Sequence, residues 1–121
     1  MASDRLQTQR RRRHLREQLR ALSFEPLMRG SLVERLRRCG RPNCACAHDP
    51  RRRHGGKFLT VQLGGRTHAV HVRPEDEAKV RAGIEAYTRL WDLINGLTRC
   101  ELSDLRREAR ERRRARRRRR S

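Results

Sequence analysis

The stretch Cys39-Gly40-Arg41-Pro42-Asn43-Cys44-Ala45-Cys46 places three cysteines within eight residues, and His48 and His54 follow shortly after. Structural zinc takes four thiolate or imidazole ligands in a tetrahedron, so this density of soft donors points to a metal before it points to disulfides. Gly40 and Pro42 suit a tight turn that lets Cys39 and Cys44 converge. The chain after Cys46 must then return one more ligand. His54 is the reading preferred here, because the intervening residues can fold back and Gly55-Gly56 releases the chain afterwards. His48 is the alternative, although its closeness to Cys46 would crowd the turn. Three free thiols in a loop, or a redox Cys-x-Cys pair, are the competing readings. The extra cysteine and the histidines weigh against the redox pair. Cys100, alone in a helical region, reads as a small core residue.

Outward from the cluster the pattern becomes regular. Residues 57–63 (KFLTVQL) alternate, Gly64-Gly65 follows, and residues 66–72 (RTHAVHV) alternate again. Two alternating runs around a Gly-Gly pair predict a β-hairpin. Residues 31–38 (SLVERLRR) supply a third strand, and three strands with a hydrophobic face suffice for an independent sheet. Residues 39–56 read as loop. Pro74 and the acids at 75–77 open a helix, where the dipole favours negative charge. Val80, Ile84, Tyr87, Trp91 and Ile94 then recur every three or four residues as one apolar stripe. Burial of Ile84, Tyr87 and Trp91 is expected. Asn95-Gly96 is a point of interruption, and from residue 106 onward apolar residues vanish, so helix is expected at most near the start of that run. Upstream, residues 5–22 form a basic helix whose block Arg10, Arg11, Arg12 and Arg13 reads as exposed and open to disorder. The fold class is α+β: a small zinc-stapled antiparallel sheet packed on a long C-terminal helix, with basic tails at both ends. The expected organisation is a basic arm at 1–27, a zinc-binding core at 28–105 and an arginine-rich tail at 106–121.

The 121 residues hold 33 basic and 14 acidic side chains, a formal net charge of +19. Residues 74–105 carry −3, whereas 1–30, 31–73 and 106–121 carry +5, +8 and +9. A chain this positive repels itself and gains most from a polyanion, so nucleic acid is the expected partner, DNA ahead of RNA. Acidic membrane is a weaker partner, since aromatic anchors are few. The phosphate contacts fall to Arg37, Arg38, Arg41, Arg51, Arg52 and Arg53 around the metal loop. Arg10, Arg11, Arg12 and Arg13 would add to them before the loop, and Arg112, Arg113, Arg114, Arg116 and Arg117 after it. Zinc would hold the 51–53 triplet as a positioned clamp. No recognition helix with base-reading side chains is evident, so contact should be largely independent of sequence. Catalysis is not expected: Glu34 and Asp49 are the nearby acids, without a recognisable motif, and His68 and His71 point to opposite faces of one strand. No leader or membrane-spanning run is visible, which favours a reducing cytoplasm, with the nucleoid as an alternative location.

The features Gly30-Ser31-Leu32, Cys39 through Cys46, His54-Gly55, the hairpin and the helix through Tyr87 resemble a small bacterial family of unknown function. Its C-G-x-P-x-C-x-C … H-G motif is often encoded alongside transposases and other mobile-element genes. The resemblance covers about residues 28–105. It implies an accessory of a mobile element, with a transposase or similar protein as partner. The alternative is an interaction adaptor that pairs through its long helix, a homodimer included.

Overall fold

The computed structural model describes residues 2–121. It orders them as α1 (Ala2–Ala21), β1 (Ser31–Arg37), β2 (His54–Leu63), β3 (Arg66–Val72) and α2 (Glu77–Arg120). The expected hairpin is present. Leu63 pairs with Arg66 and Lys57 with Val72 across a two-residue turn, where Gly64 and Gly65 have φ of 59° and 76°. Positive φ at both positions gives the turn the twist of the flanking strands. The third strand is present too. β1 pairs antiparallel with β2 from Ser31↔Thr60 to Arg37↔His54, so the order is β1-β2-β3 with β2 in the centre. Pairing with β1 draws Gly55 and Gly56 into the ladder, and β2 therefore starts at His54 rather than at Lys57.

Pro74–Asp76 forms a 3-10 turn that leads into α2, and the Arg73 guanidinium reaches Asp76 at 3.1 Å. Glu77, in the first turn of α2, holds the Lys57 ammonium of β2 at 2.5 Å. The Met28 N–H donates to the Gly83 carbonyl at 3.0 Å. These contacts belong to one of two compact units, Ser23–Tyr87, whose buried apolar side chains are Cys46, Phe58, Val72 and Val80. α2 contributes its first turns to this unit.

The other unit joins the residues up to Leu22 with Thr88–Ser121. Here α2 buries Leu93, Gly96 and Cys100, at spacings of three and four. Gly96 does not interrupt the helix; a Cβ there would stand 3.0 Å from the Leu15 side chain, so its bareness is what lets α1 come close. The helix preference lost at one glycine, about 1 kcal/mol, is offset by that approach. Arg12 donates to Glu101 at 3.1 Å and to Asp104, and Arg107 meets Asp104 at 2.8 Å. Arg10, Arg11, Arg12 and Arg13 are therefore helical, with Arg12 half-buried and paired.

Two further expectations are corrected. α2 runs on to Arg120 instead of fraying after residue 106. Arginine is among the better helix formers, residues 106–120 contain no glycine, proline or β-branched side chain, and positive charge in the last turn suits the dipole. Trp91 is 53% exposed, not buried. Beyond Thr88 the buried side of α2 is that of Leu93, Gly96 and Cys100, and the stripe expected to face inward is exposed at Trp91. Among the described residues no helix is long and apolar enough to cross a membrane.

The hydrogen bond from Arg12 holds the Asp104 carboxyl below the usual carboxylate range; desolvation opposes this, and Arg107 reinforces it. A depressed carboxylate stabilises the fold above its unfolded value and loses that contribution as pH falls through the folded value. Asp104→Asn should therefore melt below the native protein at neutral pH. The gap should close below about pH 4, the range of an ordinary aspartate. Thermal melts followed by helix signal across that range provide the check; a gap independent of pH would refute the ionic role.

Candidate metal centre

The loop between β1 and β2 is long for a hairpin connection, yet its ends are in register because Arg37 and His54 are Cα partners. β1 delivers the chain two residues short of Cys39. Gly40 then turns it with φ of 84°. The Cys44 N–H bonds the Arg41 carbonyl at 3.2 Å, closing the turn around Pro42. Ala45–Ala47 is one 3-10 turn, and it carries Cys46 into a site with no solvent exposure. A second 3-10 turn, Pro50–Arg52, returns the chain to His54 at the start of β2.

Cys39, Cys44, Cys46 and His54 converge, their ligand atoms all lying within 4.8 Å of one another. The Cys46 Sγ lies 3.4 Å from the Cys39 Sγ and accepts from the Cys39 N–H at 3.3 Å. The Cys44 Sγ meets the His54 Nε2 at 3.3 Å. Tetrahedral bonds of about 2.3 Å to sulfur put donor atoms about 3.8 Å apart, so this spacing fits one ion. Among the described residues the cysteines are all free, with no disulfide to compete. His54 takes the fourth position, and His48, exposed at the end of the first 3-10 turn, stays outside the cluster.

The thiols are unequal. A hydrogen bond from the Cys46 backbone, then one from His54, favours the Cys44 thiolate and brings it down from its ordinary value to about 6. At Cys46 the Cys39 backbone also favours the thiolate, but desolvation and the two neighbouring thiols outweigh it and the group is pushed up. A site with one thiol already ionised at neutral pH releases fewer protons when it takes a metal. Cys39 and His54 are exposed, so the centre opens on one side, where Arg41 and Asn43 line the same concavity.

Of the expected arginines, Arg41 lines this opening. The Arg37 guanidinium lies 5.0 Å over the Phe58 ring, within cation–π reach. Arg38, Arg41, Arg51 and Arg52 are exposed, and Arg53 is half-buried. Arg10, Arg11, Arg12 and Arg13 lie on α1, and Arg112, Arg113, Arg114, Arg116 and Arg117 on α2, both in the helical unit. One residue escaped the sequence reading. The Asp49 carboxylate accepts the Arg51 N–H at 3.0 Å and caps the turn that carries the triplet. Its signal was present, since aspartate immediately before proline is a common N-terminal cap.

A family model described as Domain of unknown function (DUF6788) matches residues 5–82, more than half of the chain. The chain belongs to this family. The DUF6788 match takes in α1, the sheet, the metal loop and the first turn of α2. It begins well before residue 28, where the resemblance was expected to start, so the basic N-terminal helix falls within the family's domain. The arginine run after residue 105 lies outside it. No curated protein and no solved structure matches the chain.

One metal ion per chain is expected in protein purified without chelator. Cys44→Ser and His54→Ala should each lose it, whereas His48→Ala should keep it. Elemental analysis of the three variants separates the two histidines, and retention by His54→Ala would displace it from the ligand set. Metal-free protein should melt well below the loaded form; equal melting temperatures would remove the structural role.

Proposed function

We propose that the ion is zinc and that the protein binds nucleic acid, reading mainly phosphate, as an accessory of a mobile element. Three thiolates and one imidazole in a closed set suit zinc as a structural ion. The observation that carries the nucleic-acid reading is the placement of the arginine triplet. Arg51 and Arg52 project from a turn capped by Asp49, and Arg53 precedes ligand His54 directly. Fixing that ligand fixes the triplet, so the cations are positioned before a phosphate arrives and little ordering remains to oppose binding.

The helical unit supports the same reading by another route. α2 carries eleven arginines between residues 106 and 120 with two glutamates among them. A polyanion relieves their mutual repulsion and releases its own counterions, a gain in affinity that needs no base contact. The mobile-element setting rests on the family resemblance drawn from the sequence. DNA is preferred over RNA because that setting acts on DNA.

The two arginine groups should contribute differently. Deleting residues 106–121 should flatten the dependence of log K on log salt by several units, at about 0.9 per phosphate neutralised on duplex DNA. Replacing Arg51, Arg52 and Arg53 by alanine should weaken binding by metal-loaded protein more than by metal-free protein. Affinity titrations over a salt series, on a duplex and on a single strand of the same length, test both. An unchanged slope in the deletion, with no effect of the triplet, would sink the nucleic-acid reading.

A further inference from the structure

In the helical unit α2 buries Leu93, Gly96 and Cys100. The apolar residues Trp91, Ile94, Leu102 and Leu105, with Thr98 among them, lie on the side of α2 opposite that buried face and away from Leu15. Trp91 is 53% exposed, Ile94 39%, Leu102 43% and Leu105 59%. These five residues fall within an arc of about 80° on an ideal helix. A continuous apolar strip of this kind, holding the chain's only tryptophan, is unlike the scattered apolar residues of an ordinary surface.

The spacing along the strip reads three, four, four, three. It is the same from either end, with Thr98 at its middle. Two copies laid antiparallel about a twofold axis at Thr98 would set each Trp91 against the partner's Leu105 and each Ile94 against the partner's Leu102. Twofold contacts are self-complementary in this sense, one patch meeting itself. Each bulky end would meet a smaller branched side chain, as interdigitating layers require.

Charge selects the direction. In a parallel pair the two arginine runs, +9 each over residues 106–121, would lie side by side. In the antiparallel pair each run would pass residues 75–90 of the other copy, which hold four acids against three bases. Repulsion is then exchanged for weak attraction. Pairing also answers a shortage in the helical unit, where α1 and α2 alone bury little beyond Leu93 and Cys100. Pairing would give α2 a second apolar seam, on the side away from α1.

We infer that the protein is an antiparallel homodimer, formed by the Trp91–Ile94–Thr98–Leu102–Leu105 face of α2 and independent of nucleic acid. The test uses the full metal-loaded chain, freed of nucleic acid by nuclease and high salt. Light scattering should give twice the 14.4 kDa chain mass; a monomer under these conditions overturns the proposal. Leu105→Arg and Trp91→Arg should each weaken association at least tenfold while helix signal and metal content stay native. A dimer that survives both substitutions uses another face and overturns it as well. Direction is read by mixing W91C chains with L105C chains under mild oxidation. Covalent dimers should join one chain of each kind, whereas W91C chains linked to each other would show a parallel pair. Because nucleic acid is absent throughout, these outcomes are independent of the salt-slope result.

Discussion

A β-hairpin whose strands are joined by residues 38–53 faces a closure problem that its own backbone does not solve. Hairpin loops usually run two to five residues, and longer ones lose more entropy on closing. In this loop the backbone hydrogen bonds are local. Cys44 to Arg41, Ala47 to Cys44, His48 and Asp49 to Ala45, and Arg52 to Asp49 each span three or four residues. They shape the loop into successive turns without fastening it to the sheet. The ligand set is placed to do the fastening: Cys39 stands just beyond β1, His54 opens β2, and Cys44 and Cys46 come from the middle. One ion bound by these four would tie both strand ends and the loop at a single point.

That tie matters more here than in an ordinary domain because the apolar core is small. Among the described residues only Cys46, Phe58, Val72, Val80, Leu93 and Cys100 are buried apolar side chains, and they are divided between two units. Against this stands a net charge of +19. Structural zinc contributes about 10–16 kcal/mol in finger peptides, comparable with the whole stability of a small domain. An ion at this junction would substitute for a core that the 65 residues of this unit do not provide. In the helical unit paired charges carry more of the organisation, with Arg12 and Arg107 sharing Asp104.

The parts legible in the sequence are those governed by short-range rules. Cysteine density, the Gly64-Gly65 turn between alternating runs and the Pro74 helix start each depend on neighbours a few residues apart, and each is found where expected. The third strand was less certain in pattern, because β1 alternates weakly and carries Glu34, Arg35 and Arg37. Its register with β2 follows from sheet pairing, which no local pattern reports. The arginine run misled in the other direction. Absence of apolar residues reads as disorder, but arginine retains helix propensity, and residues 106–120 extend a helix already nucleated upstream.

Gly96 and Cys100 show why the stripe of α2 was only half understood. A glycine inside a helical pattern signals a break, and an isolated cysteine signals nothing in particular. Together with Leu93 they form a narrow buried face of small side chains, suited to close approach by Leu15. Apolar periodicity finds the bulky stripe and passes over the small one. The bulky stripe was therefore assigned to the interior along its whole length, although beyond Thr88 the small stripe occupies that role. Once the small stripe has taken α1, the large residues from Trp91 to Leu105 are left facing outward. Their exposure then follows from how α2 divides its two sides, and it argues for a surface kept to meet another one.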